Sequence, residues 1–258
     1  MISSFQIKTY LHYWLEAVDS HSLHSPFFYD FYVNVIRGKD QYDFLSYEKL
    51  RAKLLGNPTP LQVEDHGAGP RRTNTERTIQ EIARNSLTPQ KFSRLYARLA
   101  QYYACKNIVE LGTAFGLNTL YLAADNKSQV TTFEGAPAVA SVAKSTFEFA
   151  GVKNISIVEG NIDHTLPQWL EMHGKIDLAF LDANHRYAPT IKYFDLILKK
   201  THFKSVVILD DIHYTGEMEK AWNELRQHPL VSASVDVYRS GMLFFDPSLN
   251  KQHVVLQF

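Results

Sequence analysis

The sequence is poor in cysteine: Cys105 is the only one in 258 residues. A single thiol excludes an intramolecular disulfide framework and suits a reducing compartment. The chain is long enough to bury a core without such cross-links. An excess of charge of one sign is missing too. Lys plus Arg and Asp plus Glu number 27 each, for a formal net charge of zero. No global field therefore draws the protein to nucleic acid or to an anionic membrane, although Arg71-Arg72 and Lys199-Lys200 could make local contacts. No apolar run is long enough to cross a bilayer. Residues 1–8 lack a basic stretch followed by a continuous apolar one, so no signal peptide is expected and a soluble, cytoplasmic protein is the default.

What the sequence does have is a stretch that organises the rest, residues 107–118, NIVELGTAFGLN. Ile108 and Val109 are a β-branched apolar pair, as in a buried strand. Glu110 adds a carboxylate at the strand's end, Gly112 and Gly116 bracket a turn, and Asn118 can cap a helix beginning at Thr119. Strand, glycine turn and helix in that order form a ligand seat at the carboxyl end of a strand. From there strands are expected near 107–111, 129–134, 154–158, 176–181 and 204–210, with helices near 118–124, 136–149, 164–171, 187–199 and 216–227. Residues 231–245 then read as a β-hairpin, turning at Arg239-Ser-Gly241. This predicts an α/β fold: a doubly wound, seven-stranded, mostly parallel sheet closed by an antiparallel hairpin.

The first part of the chain is organised differently. Helical spacing covers 5–18, a stretch from Pro26 rich in Phe and Tyr, and 41–55. Helices are also expected near 75–84 and 89–103. Residues 5–18 carry too few basic groups for a membrane-surface helix. The division expected is a helical cap or lid over 1–86 and a catalytic domain over 87–258. The cap's aromatic helices either pack on the core, form a homodimer contact, or cover a substrate pocket. Asp65-His-Gly-Ala-Gly-Pro70 mimics a cofactor loop, but Pro70-Arg71-Arg72 follows where a free amide is needed. It reads as a surface loop, or as one that reaches an anionic group.

The glycine spacing separates cofactor classes. A pyrophosphate loop needs Gly-x-Gly-x-x-Gly. Here Ala114 stands at the second glycine position, and no Walker lysine follows. The alternating pattern and terminal hairpin match class I S-adenosylmethionine-dependent methyltransferases. The segment 110–116, ELGTAFG, resembles the first motif of their O-methyltransferases, and 176–187 and 205–213 resemble the cation-dependent catechol and caffeoyl-CoA group. The resemblance spans roughly 87–246 in motif order.

That resemblance implies S-adenosylmethionine as cofactor, held by Glu110, Gly112, Thr113, Gly116, Glu134, Gly160, Asn161 and Asp182. Glu134, a carboxylate at the end of the second strand, suits the ribose hydroxyls. Asp182 also matches a family residue that binds a divalent cation. With Asp210 and Asp211 it would make a three-oxygen site suited to Mg²⁺. His185 stands where the family carries a lysine, and a neutral imidazole can act as base near pH 7. Asp182 and His185 are therefore the catalytic pair, with His213 an alternative base or ligand. The expected activity is methyl transfer to an oxygen of a small-molecule acceptor. A nicotinamide-dependent oxidoreductase, or a non-catalytic member of the fold that binds cofactor or protein, are the alternatives.

Overall fold

The computed structural model describes residues 3–64 and 74–258, so the Asp65–Pro70 loop and Arg71-Arg72 lie outside the described residues. Two compact units emerge: residues 1–39 with 174–258, and residues 40–173. Residues 1–86 are thus shared between the units.

In the first unit, α1 (Ser4–Glu16) opens on a capping box: the Ser3 hydroxyl accepts the Gln6 N–H, and the Gln6 side chain reaches back to Ser3. α2 (Pro26–Phe31) starts on proline, as expected, and widens into a π-type turn over Tyr32–Ile36. Phe28, Phe31, Tyr32, Val35 and Ile36 are buried, and Phe27 and Phe31 both pack edge-on against Phe244.

The second unit begins with α3 (Leu45–Leu55), β1 (Pro60–Glu64), β2 (Asn74–Thr78), α4 (Ile79–Ser86) and α5 (Gln90–Tyr102). β1 and β2 form an antiparallel pair, which corrects one expectation: the helix expected from 75 starts at Ile79. Thr78 fixes that start, because its hydroxyl accepts the Glu81 N–H while the Glu81 carboxylate accepts the Thr78 N–H. Then follow β3 (Asn107–Leu111), α6 (Leu117–Leu122), β4 (Gln129–Glu134), α7 (Pro137–Ala150), β5 (Ile155–Glu159) and α8 (Ile162–Met172). β3, β4 and β5 run parallel, with Leu111 level with Phe133 and Phe133 with Val158. Their carboxyl ends are therefore in step. Leu50, Leu117, Leu120, Ala143 and Phe147 form one apolar cluster, joining α3, α6 and α7.

The first unit resumes with β6 (Leu178–Leu181), α9 (Tyr187–Leu198), β7 (Val206–Leu209), α10 (Gly216–Leu225), β8 (Ala233–Asp236), β9 (Gly241–Phe244) and β10 (Gln252–Val255). β6 and β7 are parallel, β9 is antiparallel to both β7 and β8, and β10 lies parallel to β8. The described core strands number eight, not the expected seven. The extra strand, β10, is short and begins on polar residues, which hides its period. It also anchors the N-terminal helix: the Tyr13 hydroxyl donates to the Leu256 carbonyl at 2.7 Å, and Val18 and Gln257 exchange backbone bonds with this terminus.

Gly116 is constrained both by its backbone and by its neighbours. Its φ is +76°, and an added Cβ would meet the Phe147 ring at 2.3 Å. Both the strained backbone and the clash oppose a side chain. Gly116→Ala should lower stability by about 2–4 kcal/mol, read from chemical denaturation. Adding Phe147→Leu should recover only part of that loss, since it relieves the clash and not the dihedral.

Candidate functional site

The second unit supplies a loop at the carboxyl end of β3. Gly112 has φ +100°, Ala114 +48° and Gly116 +76°, so the chain doubles back tightly between strand and helix. The Gly112 and Thr113 amides both donate to the Phe133 carbonyl at 3.1 Å, which ties the loop to β4.

Glu110 is 1% exposed and points inward. It accepts hydrogen bonds from Asn118 Nδ2 at 3.0 Å, Thr119 Oγ1 at 2.5 Å and Thr132 Oγ1 at 2.7 Å. It is an internal strut that joins β3, α6 and β4. Burial pushes its carboxyl up to about 7, even though all three donors pull the other way. Thr113 is turned inward as well, its hydroxyl 2.7 Å from that of Thr132. Asn118 does not cap the helix. The cap is Gly116, and α6 begins at Leu117. Because its amide nitrogen serves Glu110, Asn118 Oδ1 is left buried without a hydrogen-bond partner among the described residues.

Glu134 ends β4 and is half-buried. Its Oε2 accepts the Ala114 N–H at 3.0 Å and its Oε1 the Ala136 N–H at 2.9 Å. Its backbone donors leave part of the carboxylate's acceptor capacity open to a ligand hydroxyl. Burial raises its carboxyl above the ordinary range, against three backbone donors. Gly160 follows β5 with φ +123° and donates to the Glu134 carbonyl. Asn161 caps α8 through the Asp163 N–H. The residues expected at an adenosyl cofactor thus stand at three adjacent strand ends. The orphan acceptor of Asn118 and the open lone pairs of Glu134 fit a ligand that brings an ammonium and a pair of hydroxyls.

The first unit supplies the acids. Leu181 is level with Leu209, so Asp182 and Asp210 follow neighbouring strands. His185 Nε2 lies 3.3 Å from Asp182 Oδ1, while His185 Nδ1 is buried without a hydrogen-bond partner among the described residues. Asp210 is fully buried and bound by Arg239 through two nitrogens, Nε at 3.2 Å and Nη2 at 2.6 Å. The same Nη2 is 3.5 Å from Asp211 Oδ1. Burial drives the Asp210 carboxyl upward and Arg239 draws it back. No cluster of three or more His, Cys, Asp or Glu that could hold a metal is found among the described residues. The expected three-oxygen arrangement is therefore not assembled: both Asp210 oxygens face a guanidinium, and the donor set does not fit a divalent cation.

Family comparison agrees with the loop. A model described as a methyltransferase domain matches residues 109–212. Residues 109–212 are thus similar to that family. A curated relative, a catechol O-methyltransferase of Niastella koreensis, is 31% identical over 132 residues, which are 50% of this chain and 58% of the relative. The chain thus spans less than two thirds of that relative's length. Among solved structures, the cofactor-bound Rv0187 from MTB aligns over 85% of this chain and 94% of its own, at 18% identity and a TM-score of 0.59. The O-methyltransferase from Bacillus cereus in complex with S-adenosylhomocysteine covers 64% and 86%, at 20% identity and 0.54. At these identities the structures establish the Rossmann-like methyltransferase fold.

Sequence reasoning missed several partners of these side chains. Thr119 and Thr132 go unnoticed because hydroxyls carry no motif. Asp236, which accepts His213 Nε2 at 2.7 Å, was read only as a strand residue. The two carboxylates facing His213, Asp236 and Glu219, outweigh its burial and raise its pKa. Arg239 was read only as a turn residue. Its signal was available: β9 runs antiparallel to β7, so the residues before Gly241 come level with those after Leu209.

The Glu110 strut has a pH signature. Its carboxyl titrates near 7 when folded and near the ordinary 4.5 when unfolded. Its contribution to stability is complete below about pH 4.5 and is lost as pH rises toward 7, a change of about 3 kcal/mol. Glu110→Gln should remove that part of the pH dependence in urea titrations across this range.

Proposed function

We propose that this protein is an S-adenosylmethionine-dependent O-methyltransferase of a small-molecule acceptor. The observation that carries the reading is Glu134: a carboxylate at the second strand end, pinned by backbone amides on both oxygens, with lone pairs left over. The ribose diol of the cofactor would use those lone pairs, and its ammonium would satisfy Asn118 Oδ1. Gly112, Gly116, Gly160 and Asn161 would shape the seat, with Glu110 and Thr113 acting from behind it. A nicotinamide reading would need a third glycine for the pyrophosphate, and Ala114 takes that position.

The cofactor supplies an activated methyl group on a sulfonium, open to in-line attack. The chain's part is to align and deprotonate the acceptor oxygen. In our reading His185 is the base. Asp182 on Nε2 favours the tautomer with its lone pair on Nδ1, the nitrogen that would take the hydroxyl proton. The curated relative's name makes catechols and other hydroxylated aromatics the first acceptors to test.

Calorimetry should detect S-adenosylhomocysteine binding and no NAD binding; the reverse result sinks the proposal. Glu134→Ala should weaken S-adenosylhomocysteine binding by about tenfold to a hundredfold. His185→Ala should leave that binding within about twofold, yet cut turnover of an accepted hydroxyl compound by about 10²–10⁴.

A homodimer is also proposed. On α1, Ile7, Tyr10, Leu11, Trp14 and Leu15 follow helical spacing and are each half exposed or more. A contiguous apolar stripe of this kind suits burial against a second copy. Trp14→Glu combined with Leu15→Glu should convert a dimer to a monomer in sedimentation velocity, and a wild type that is already monomeric contradicts it.

A further inference from the structure

Three carboxylates follow β6 and β7: Asp182, Asp210 and Asp211. Left alone, they would repel one another. Arg239 meets two of them. Its Nε and Nη2 grip Asp210 at 3.2 and 2.6 Å, and Nη2 lies 3.5 Å from Asp211. His185 stands 3.3 Å from the third, Asp182. We infer that Arg239 is the resident cation of this acid cluster, and that the cluster works without a divalent metal.

Four features carry this. First, both oxygens of Asp210 are already engaged by the planar guanidinium fork, which matches a carboxylate bidentately. A divalent ion would need at least one of those oxygens at about 2.1–2.5 Å. Second, Asp210 is fully buried, so it has no spare face on which to take a second cation. Third, an arginine does not lose its proton. A metal entering beside it would meet a fixed positive charge.

Fourth, the arginine is built into the backbone. The Arg239 carbonyl accepts the Ile212 N–H at 3.1 Å, and the Arg239 N–H donates to the Val237 carbonyl at 2.9 Å. The preceding Tyr238 has φ +68° and is held by Asp236 Oδ1 on its amide and by the Gln6 carbonyl on its hydroxyl. Asp211, between the acids and Ile212, has φ +54°. The turn that carries Arg239 and the turn that carries the acids are therefore one hydrogen-bonded assembly. The arginine is not a surface arm that happens to rest there.

The inference deepens the methyltransferase reading, because it assigns positioning of the acids to a side chain in place of Mg²⁺. Its test is separate from that reading. Wild-type protein is first dialysed against a chelator. Mn²⁺ titrated in and followed by electron paramagnetic resonance should then show no stoichiometric binding. The thermal midpoint should be the same with Mg²⁺ and with EDTA, and S-adenosylhomocysteine affinity should differ less than twofold between them. One Mn²⁺ bound per chain, and lost in Asp210→Asn, overturns the inference. Arg239→Gln strands Asp210. Its midpoint should fall, and Mg²⁺ or Mn²⁺ should raise it again while leaving the wild type unmoved. Should Arg239→Gln not fold, Arg239→Lys keeps the charge and should still bind no Mn²⁺; one Mn²⁺ bound to it at wild-type stability overturns the inference too. Absence of S-adenosylhomocysteine binding speaks against the methyltransferase reading, and the Mn²⁺ result then stands alone.

Discussion

The carboxylate of Glu110, buried at the end of β3, is the constraint on which the ligand loop depends. A buried anion is costly unless every lone pair is met. Here the donors come from three different places: Asn118 and Thr119 on α6, and Thr132 on β4. Satisfying Glu110 therefore fixes the direction in which the helix leaves the strand, and fixes the neighbouring strand beside it. The turn between has no choice but to pass through left-handed conformations at Gly112, Ala114 and Gly116. The amides of Gly112 and Thr113 then donate to the Phe133 carbonyl, and that of Ala114 to Glu134, on β4. One buried acid thus shapes a loop in which it takes no direct part.

The first unit solves the same problem with a different partner. Asp210 is as buried as Glu110, but it meets a guanidinium where Glu110 meets neutral donors. The electrostatic results differ accordingly. Neutral donors leave the Glu110 carboxyl high, at about 7. At Asp210 burial also raises the carboxyl, and the fixed positive charge of Arg239 opposes that rise. The first arrangement suits a strut whose charge is unimportant. The second sets a fixed positive charge against both Asp210 and Asp211.

Much of this was legible in the sequence, for physical reasons. The run from 107 to 118 announces itself, because a buried parallel strand needs β-branched residues and a tight exit needs glycine. Glu134, Asp182 and Asp210 follow from the same logic, as polar residues that end apolar strands. What escaped was set by tertiary contact. Asn118 looks like a helix cap until Glu110 claims its amide, and Gly116 can then cap the helix at positive φ. Residues 75–78 satisfy helical spacing, yet they pair with 60–63. β10 is four residues long and has too little pattern to be seen. Arg239 belongs to the acids only through a strand register, which no local window contains.

The strained residues follow one rule. Among the described residues, non-glycine left-handed backbone occurs at Ala104, Ala114, Asn184, His185, Asp211 and Tyr238. Ala104 precedes a strand. The other five each follow the carboxyl end of one: β3, β6, β7 or β8. Such conformations persist only where the surroundings over-determine them, and here the restraints can be named. Glu134 holds the Ala114 amide, the Asn184 side chain donates to Tyr193 at 2.6 Å, and Asp236 holds the amide of Tyr238. Asp211 lies between the Arg239-bound carboxylate and Ile212, whose amide is tied to the Arg239 carbonyl. A strand that simply ended could relax into an ordinary turn. These do not relax because their side chains and amides are already committed to named partners, several of them acids. The acids at the strand ends and the strain of the loops that follow them thus belong together: the hydrogen bonds that satisfy the acids also hold the turns to one geometry.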